Sequence, residues 1–266
     1  EKYLADLYIF NNVTRNYRPM WTYNPKIIKK TYYIFYGLNE FPIHFKKDKN
    51  ILANVGWSLM NWPIYLNWNK YFLEYLDISL NDSSQKLLYD EPIWYRDDNN
   101  INDNLKFDNN SKTLALYDVT PVKNSLNFSW TKRASFINNS INVINFYKDI
   151  LALKKKYNFN IIVKFKKNER DKSDMIYKNI FSNFLNNKTI NFINSNKSPK
   201  IINYAVDAVI SYPFTSAAYF NPRNLPTVYY DPSGLIDGQK QINFGVNLIE
   251  NFDKLESWVK SNLSEN

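Results

Sequence analysis

From residue 113 onward, short apolar runs alternate with longer segments in which apolar residues recur every three or four positions. The apolar runs have the length and the bulky side chains of buried strands. They cover residues 113–119, 160–165, 189–193, 208–211 and 226–231. Each of these runs predicts one strand of a sheet.

The segments between the apolar runs predict helices. Helices are expected at 140–158, 173–185, 199–206, 215–220 and 252–263. Ser140, Ser198 and Asn251 stand at the N-cap positions of three of them, and Pro199 stands at a first helical position. Strands that alternate with helices favour a parallel sheet with right-handed crossovers. The pattern therefore predicts a Rossmann-type, doubly wound α/β domain in the carboxy-terminal half.

The first part of the chain is less regular. Strands are predicted at 31–38, 64–68 and 86–94, with a helix at 70–76. Residues 97–112 are polar and rich in Asn and Asp, which is typical of a linker. We therefore expect a partial α/β domain over residues 1–96 and a second domain over residues 113–266. Because residues 11–26 are too polar to supply the opening strands of the first domain, the chain is expected to be a fragment.

Composition excludes several kinds of protein. The 266 residues include 34 Lys and Arg against 25 Asp and Glu, a formal net charge of +9. The lysines form no single stripe along the chain, so no nucleic-acid partner is expected. There is no cysteine and a single histidine, His44, which excludes thiolate metal sites and mechanisms that need two imidazoles. No apolar run reaches about 18 residues, so no membrane span is predicted.

Apolar surroundings predict where the histidine and four tryptophans lie. His44 stands within the sequence FPIHF, and we expect it to pack in the core or on the surface and not to act in catalysis. Trp57, Trp62, Trp68 and Trp94 are expected in the core of the first domain. A platform on which sugars stack is the alternative for the tryptophans.

Polar residues follow most of the predicted strands of the second domain. They are Asp118, Lys164, Lys166, Thr215, Ser216 and Asp231. Ligands of open parallel sheets bind at the carboxyl ends of the strands, where these residues would meet. Hydroxyl groups at a helix start attract a phosphate together with the helix dipole, and ammonium groups neutralise it. We therefore predict a phosphate-binding site at this edge of the sheet.

Each of these positions also has an ordinary structural alternative. Thr215 and Ser216 could cap a helix, the lysines could belong to a solvated turn, and Asp118 could cap the segment that follows it. The sequence DPSG at 231–234 is typical of a turn in which Gly234 takes a positive φ.

Several motifs carry a resemblance to a known family. The segments LALYDVTPVKNS, IIVKFKK, DAVISYPFTSAAYF and PTVYYDPSG occur in this order, and RPMWTYN and NWPIYLNWN precede them. With these segments the chain resembles bacterial surface-polysaccharide biosynthesis proteins named for a PFTS motif. The second half is also similar to the carboxy-terminal domain of GT-B glycosyltransferases. In those enzymes this domain binds the nucleotide, and the amino-terminal domain binds the acceptor.

The resemblance extends to one motif and departs at another. GT-B enzymes that use CMP-sialic acid or CMP-Kdo have a His-Pro motif after one strand and a Ser/Thr pair after a later one. Thr215 and Ser216 match the pair, whereas Lys166 and Lys167 stand where His-Pro is expected. The resemblance thus implies a GT-B-like fold and leaves the donor nucleotide open.

The resemblance, together with the polar residues at the strand ends, implies a glycosyltransferase that moves a sugar from a nucleotide-sugar donor to a saccharide acceptor. Lys164, Lys166, Thr215 and Ser216 would hold the donor phosphate, with Asp231 beside them, and Asp118 is the candidate catalytic residue. The expected reaction is inverting and needs neither cofactor nor metal, since no Asp-x-Asp signature is present. A cytoplasmic location is expected, with peripheral contact with the inner membrane left open. The alternatives are a catalytically silent nucleotide-sugar or glycan-binding protein, and an epimerase or polyol-phosphate transferase on the same scaffold.

Overall fold

The structure, a computed structural model, divides the chain into two compact units. It describes residues 5–11, 18–35, 43–52, 55–81, 84–88, 110–119, 121, 134–164, 190–193, 198–213, 215, 224–240, 243 and 245–264. The first unit comprises Glu1–Pro42 and Lys49–Trp94, and the second comprises Ile43–Asp48 and Tyr95–Asn266. The segment Ile43–Asp48 thus packs with the second unit although it lies within the sequence of the first.

The first unit contains a four-stranded parallel sheet in the order β1-β2-β3-β4. Its strands are β1 Tyr8–Phe10, β2 Thr31–Ile34, β3 Ile64–Asn67 and β4 Gln85–Leu88. Its helices are a 3₁₀ turn at Met20–Tyr23, α1 Pro25–Ile28, α2 Val55–Ser58 and α3 Lys70–Ser79. The three predicted strands correspond to β2, β3 and β4. A further strand, β1, was not predicted; it lies before residues 11–26 and pairs with β2 along Tyr8↔Thr31.

Aromatic side chains fill the core of the first unit. The rings of Phe35 and Phe72 lie 4.7 Å apart, and those of Trp57 and Phe72 lie 5.1 Å apart. Trp57, Trp62 and Trp68 are buried, as predicted, while Trp94 lies outside the described residues. Large rings remove much apolar surface from water, so a small sheet can be stabilised by few residues.

The second unit contains a six-stranded parallel sheet in the order β10-β9-β8-β5-β6-β7. Its strands are β5 Thr113–Tyr117, β6 Asn160–Lys164, β7 Ile190–Ile193, β8 Ala208–Ser211, β9 Thr227–Tyr230 and β10 Asn247–Ile249. Its helices are α4 Ala134–Ile137, α5 Ser140–Lys156, α6 Pro199–Tyr204 and α7 Phe252–Leu263. The order reverses between β5 and β8, as in doubly wound nucleotide-binding sheets. The predicted α/β fold is confirmed; β10 was not predicted.

Helix caps agree with the sequence in two of three cases. Asn251 caps α7 by accepting from the backbone N–H of Lys254 at 2.9 Å, and Pro199 is the first residue of α6. The predicted cap of α5 is wrong, because Asn139 accepts from the N–H of Asn142 at 2.8 Å and Ser140 is already helical. The helix predicted at 173–185 lies outside the described residues.

Both faces of the six-stranded sheet are buried. Along β5, Leu114 and Leu116 belong to one core, whereas Ala115 and Tyr117 belong to the other. Helices α5 and α7 cover the first face, each with a buried stripe of apolar residues. His44 is 1% exposed and thus lies in the core. No helix within the described ranges is long and apolar enough to cross a bilayer.

Candidate functional site

The carboxyl ends of β5, β6 and β8 meet at the point where the strand order reverses. Tyr117, the last residue of β5, pairs with Lys164 on one side and with Ser211 on the other. Asp118 follows at once, between the ends of β6 and β8. Ligands of doubly wound sheets bind at this reversal, so the topology concentrates the candidate residues where a nucleotide site is expected.

Asp118 is a buried carboxylate at the centre of this edge. Its side chain is 2% exposed, and its Oδ2 atom accepts a hydrogen bond of 2.7 Å from the hydroxyl of Tyr147. Tyr147 lies on α5 and is itself buried. A general base must reach a hydroxyl of the acceptor. Because Asp118 is buried, it is better placed to act through the residues beside it than to contact an acceptor directly.

Lys164 lies beside Asp118 at the end of β6. Burial lowers the pKa of its ammonium group, because the charged form loses water, while the carboxylate of Asp118 acts in the opposite direction. Asp118 therefore holds a half-buried positive charge at the strand end. Such a charge would interact strongly with a phosphate, since the surrounding protein screens it less than water does.

Two hydroxyl groups meet at the end of β8. The Oγ atoms of Ser211 and Thr215 lie 2.5 Å apart, and Ser211 also donates to the carbonyl of Tyr212. The carbonyl of Thr215 accepts from the hydroxyl of Tyr229 at 3.1 Å. Thr215 is only partly buried, whereas Ser211 and Tyr229 are fully buried. The two buried residues thus fix the position of the more accessible threonine.

Asp231 organises the loop that follows β9. Its Oδ1 atom accepts from the N–H of Ser233 at 2.9 Å and from the Ser233 hydroxyl, and its Oδ2 atom accepts from the N–H of Ile236 at 3.1 Å. The residue is fully buried. Gly234 in this loop has the predicted positive φ, at 61°. The contacts of Asp231 are those of a residue that shapes a turn.

The structure thus places Asp118 and Lys164 side by side, and Thr215 follows the neighbouring strand β8. Asp231 instead bonds within the loop that follows β9. Lys166 and Ser216 lie outside the described residues. Sequence reasoning missed Tyr147 and Ser211. The only signal for Ser211 was its place at the end of a strand. Tyr147 lies among the buried apolar residues of α5, a pattern that predicts packing and not a site.

Family and fold comparisons agree with this architecture. The sequence model of the polysaccharide biosynthesis PFTS motif proteins matches residues 1–259, so the chain belongs to that family. No curated protein matches the chain.

Two solved structures share the fold at low sequence identity. One is a Staphylococcus aureus MnaA–UDP co-structure, with 9% identity and a TM-score of 0.53 over 96% of this chain and 65% of that one. The other is UDP-GlcNAc 2-epimerase of Methanocaldococcus jannaschii in complex with UDP-GlcNAc and UDP, with 13% identity and a TM-score of 0.53 over 100% of this chain and 71% of that one. This chain is therefore shorter than both, and the likeness concerns the fold.

Proposed function

We propose that the protein is a glycosyltransferase of polysaccharide assembly, which binds its nucleotide-sugar donor at the carboxyl edge of the six-stranded sheet. The observation that carries the proposal is the meeting of Asp118, Lys164 and Thr215 around the reversal between β5 and β8. Membership of a polysaccharide biosynthesis family supports a sugar substrate. The acceptor is a saccharide.

Lys164 and Thr215 would act on the donor phosphates. The ammonium group of Lys164 neutralises negative charge. When the donor binds, the Ser211 hydroxyl would turn its proton from the carbonyl of Tyr212 to Thr215 Oγ1, so that the Thr215 hydroxyl can donate to a phosphate oxygen. As the bond between sugar and nucleotide breaks, charge builds up on the leaving phosphate. Fixed donors at that point stabilise the transition state more than the ground state. Lys166 and Ser216 are proposed to complete this site from the same loops, and no metal ion or cofactor is required.

Asp118 supports this chemistry by keeping Lys164 protonated. Its carboxylate opposes the effect of burial on the pKa of Lys164. The hydroxyl of Tyr147 orients that carboxylate. We assign Asp118 a positioning role on these grounds, so that the base which takes the acceptor proton is another group.

UDP is the first nucleotide to test, because both structural neighbours are structures with UDP. The melting temperature would be measured with UDP, CMP and GDP, for the native chain and for Thr215→Ala. A ligand at 100 times its dissociation constant stabilises a protein by about 2.7 kcal/mol. We expect one nucleotide to raise the melting temperature of the native chain and to have much less effect on Thr215→Ala.

Thr227→Ala is the matched control. Thr227 begins β9 at the opposite edge of the sheet, where its hydroxyl bonds the carbonyl of Leu225. This variant should respond to nucleotide like the native chain. An equal response in Thr215→Ala would place the nucleotide elsewhere, and no response from the native chain would refute the donor site.

Product analysis then separates transfer from the other reactions of this scaffold. With the UDP-sugar, a transferase releases UDP and forms a glycoside when a saccharide acceptor is added. An epimerase changes the sugar without any acceptor. Binding without either product would instead favour a silent nucleotide-sugar-binding protein, and would contradict the proposal. Addition of EDTA should leave the rate of transfer unchanged.

A further inference from the structure

A polar cleft of about 470 Å³ lies on the second unit beside the edge strand β10. Its described lining includes Lys46, Asp237, Gln239, Asn247, Glu250 and Lys254. None of these residues belongs to the site around Asp118, Lys164 and Thr215. Neither the sequence patterns nor the proposed donor site uses the cleft.

The segment Ile43–Asp48 builds one wall of this cleft. Phe45 forms an antiparallel bridge with Ile236, and the backbone N–H of Lys46 donates to the carbonyl of Leu235 at 3.1 Å. Lys240 ties the end of the same segment to the loop by donating to the carbonyl of Asp48 at 2.6 Å. Backbone and side-chain bonds therefore fix this wall before any ligand binds.

A short loop with a glycine forms the floor. The carboxylate of Asp237 accepts from the backbone N–H groups of Gln239 and Lys240 at 3.0 and 3.2 Å, which folds the loop on itself. A Cβ atom at Gly238 would lie 3.5 Å from Oε1 of Glu250 and 3.6 Å from Cδ2 of Leu248. A longer side chain at position 238 would occupy part of the cleft.

The charges at the cleft are mostly paired. Lys46 lies 3.5 Å from the carboxylate of Glu250, and Asp237 lies 3.3 Å from the ammonium group of Lys240, just beyond the lining. Among the described residues, Lys254 is the one charged residue of the lining that has no ion-pair partner. Such a lining attracts a polyanion only weakly, and it favours a neutral ligand.

Two amide side chains supply unused hydrogen-bonding capacity. Within the described part of the chain, the side chains of Gln239 and Asn247 make no hydrogen bond to protein, and both line the cleft. Each amide offers two donors and an acceptor in one plane. Neighbouring hydroxyls of a sugar ring, which both donate and accept, match such a plane. Leu248 adds an apolar surface for the C–H face of the ring.

From this combination we propose that the cleft binds a neutral oligosaccharide segment, as a second saccharide site separate from the donor site. It would hold the polymer on which the enzyme acts or another neutral glycan. The inference draws on the family and on the cleft, and does not depend on nucleotide binding.

Titration calorimetry with two neutral probes, maltotetraose and tetra-N-acetylchitotetraose, tests this site on the full chain. The variant is the double substitution Gln239→Ala/Asn247→Ala, which removes no side-chain hydrogen bond within the described part of the chain. We expect at least one neutral probe to bind, and its affinity to fall at least about tenfold in the double variant. Gln85→Ala, which removes an exposed amide from β4 of the first unit, should bind like the native chain.

Three results would overturn the proposal. They are no binding of either neutral probe, equal binding by the double variant, and tighter binding of oligogalacturonate or inorganic phosphate than of the neutral probes. Thr215→Ala keeps this site and separates it from the donor site. Loss of the nucleotide response in Thr215→Ala with unchanged oligosaccharide binding would show that the two sites are independent.

Discussion

The hydroxyl of Tyr147 donates a hydrogen bond of 2.7 Å to Oδ2 of Asp118. This bond joins α5 to the end of β5, at the reversal in strand order. Both residues are at most 2% exposed. A carboxylate in such a place needs donors, because its charge has been taken out of water. The bond thus couples the packing of a helix to the electrostatics of the proposed donor site.

Removing this hydroxyl should weaken the fold and the site together. In Tyr147→Phe the buried carboxylate loses a donor, and we expect the free energy of unfolding to fall by about 1 to 3 kcal/mol. Urea denaturation would measure the loss. Tyr157→Phe is the control. It removes a bond of 3.1 Å to Glu256, which is partly exposed, and should lower the free energy of unfolding by less. An equal loss of unfolding free energy in both variants would mean that the buried bond to Asp118 stabilises the fold no more than the bond to Glu256 does.

Asp118→Asn should change the pH dependence of nucleotide binding. Burial lowers the pKa of Lys164 and Asp118 opposes that shift, so the variant should lower the pKa further. Binding that needs the charged ammonium group is lost as pH rises through that pKa. We therefore expect the affinity for UDP to decline at a lower pH in Asp118→Asn than in the native chain. Identical affinity profiles for the two proteins would rule out this role of Asp118.

The sequence predicted the six-stranded sheet well because its strands are strongly apolar. Continuous apolar runs such as those of β5 and β6 are typical of strands that are buried on both faces of a parallel sheet. The strands β1 and β10 escaped prediction because each has three residues, too few for a periodic pattern. They form by pairing with a neighbour that is distant in sequence, as Leu248 does with Tyr229.

The candidate site was predictable to the same extent as the topology. Asp118, Lys164 and Thr215 lie at or just after strand ends, and parallel strands bring their carboxyl ends to one edge of the sheet. The partners of these residues were not predictable, since Tyr147 reaches Asp118 only through the way α5 packs on the sheet. Likewise, three bonds within its own loop distinguish Asp231 from the other polar residues; the DPSG pattern predicted the turn, but not the bond from the more distant N–H of Ile236.

Asp231 provides a test of whether it shapes a loop or binds a ligand. Asp231→Ala leaves the donors of Ser233 and Ile236 without their acceptor, and we expect unfolding to become easier by about 3 kcal/mol. Ser233→Ala removes one of these bonds and should cost about 1 kcal/mol. Chemical denaturation gives both values. UDP affinity, measured where the protein is folded, should not change. A loss of affinity without a loss of stability would return Asp231 to the donor site.

Gly234 and Gly238, which both follow β9, form a matched pair for substitution by alanine. Gly234 has a φ of 61°, and an added Cβ would lie 3.1 Å from the carbonyl oxygen of Glu250. At Gly238 the nearest atom would lie at an ordinary 3.5 Å. Gly234→Ala should therefore lower the free energy of unfolding by about 1 kcal/mol or more, while Gly238→Ala should be nearly neutral. Thermal unfolding of both variants checks this order, and the reverse order would contradict it.

Asp149 should make stability depend on pH in the acidic range. Burial raises its pKa above the ordinary value of 3.8, although the hydroxyl of Tyr230, which donates to its Oδ2 atom, acts in the opposite direction. The folded state thus holds this proton more firmly than the unfolded state does. The stability from Asp149 is present in acid and is lost as pH rises through the raised pKa.

Asp149→Asn removes this titration and keeps an oxygen that can accept from Tyr230. The melting temperature of the variant, relative to that of the native chain, should therefore rise as pH increases from about 4 to neutral. A difference in melting temperature between Asp149→Asn and the native chain that stays constant with pH would mean that burial does not destabilise the charged form of Asp149.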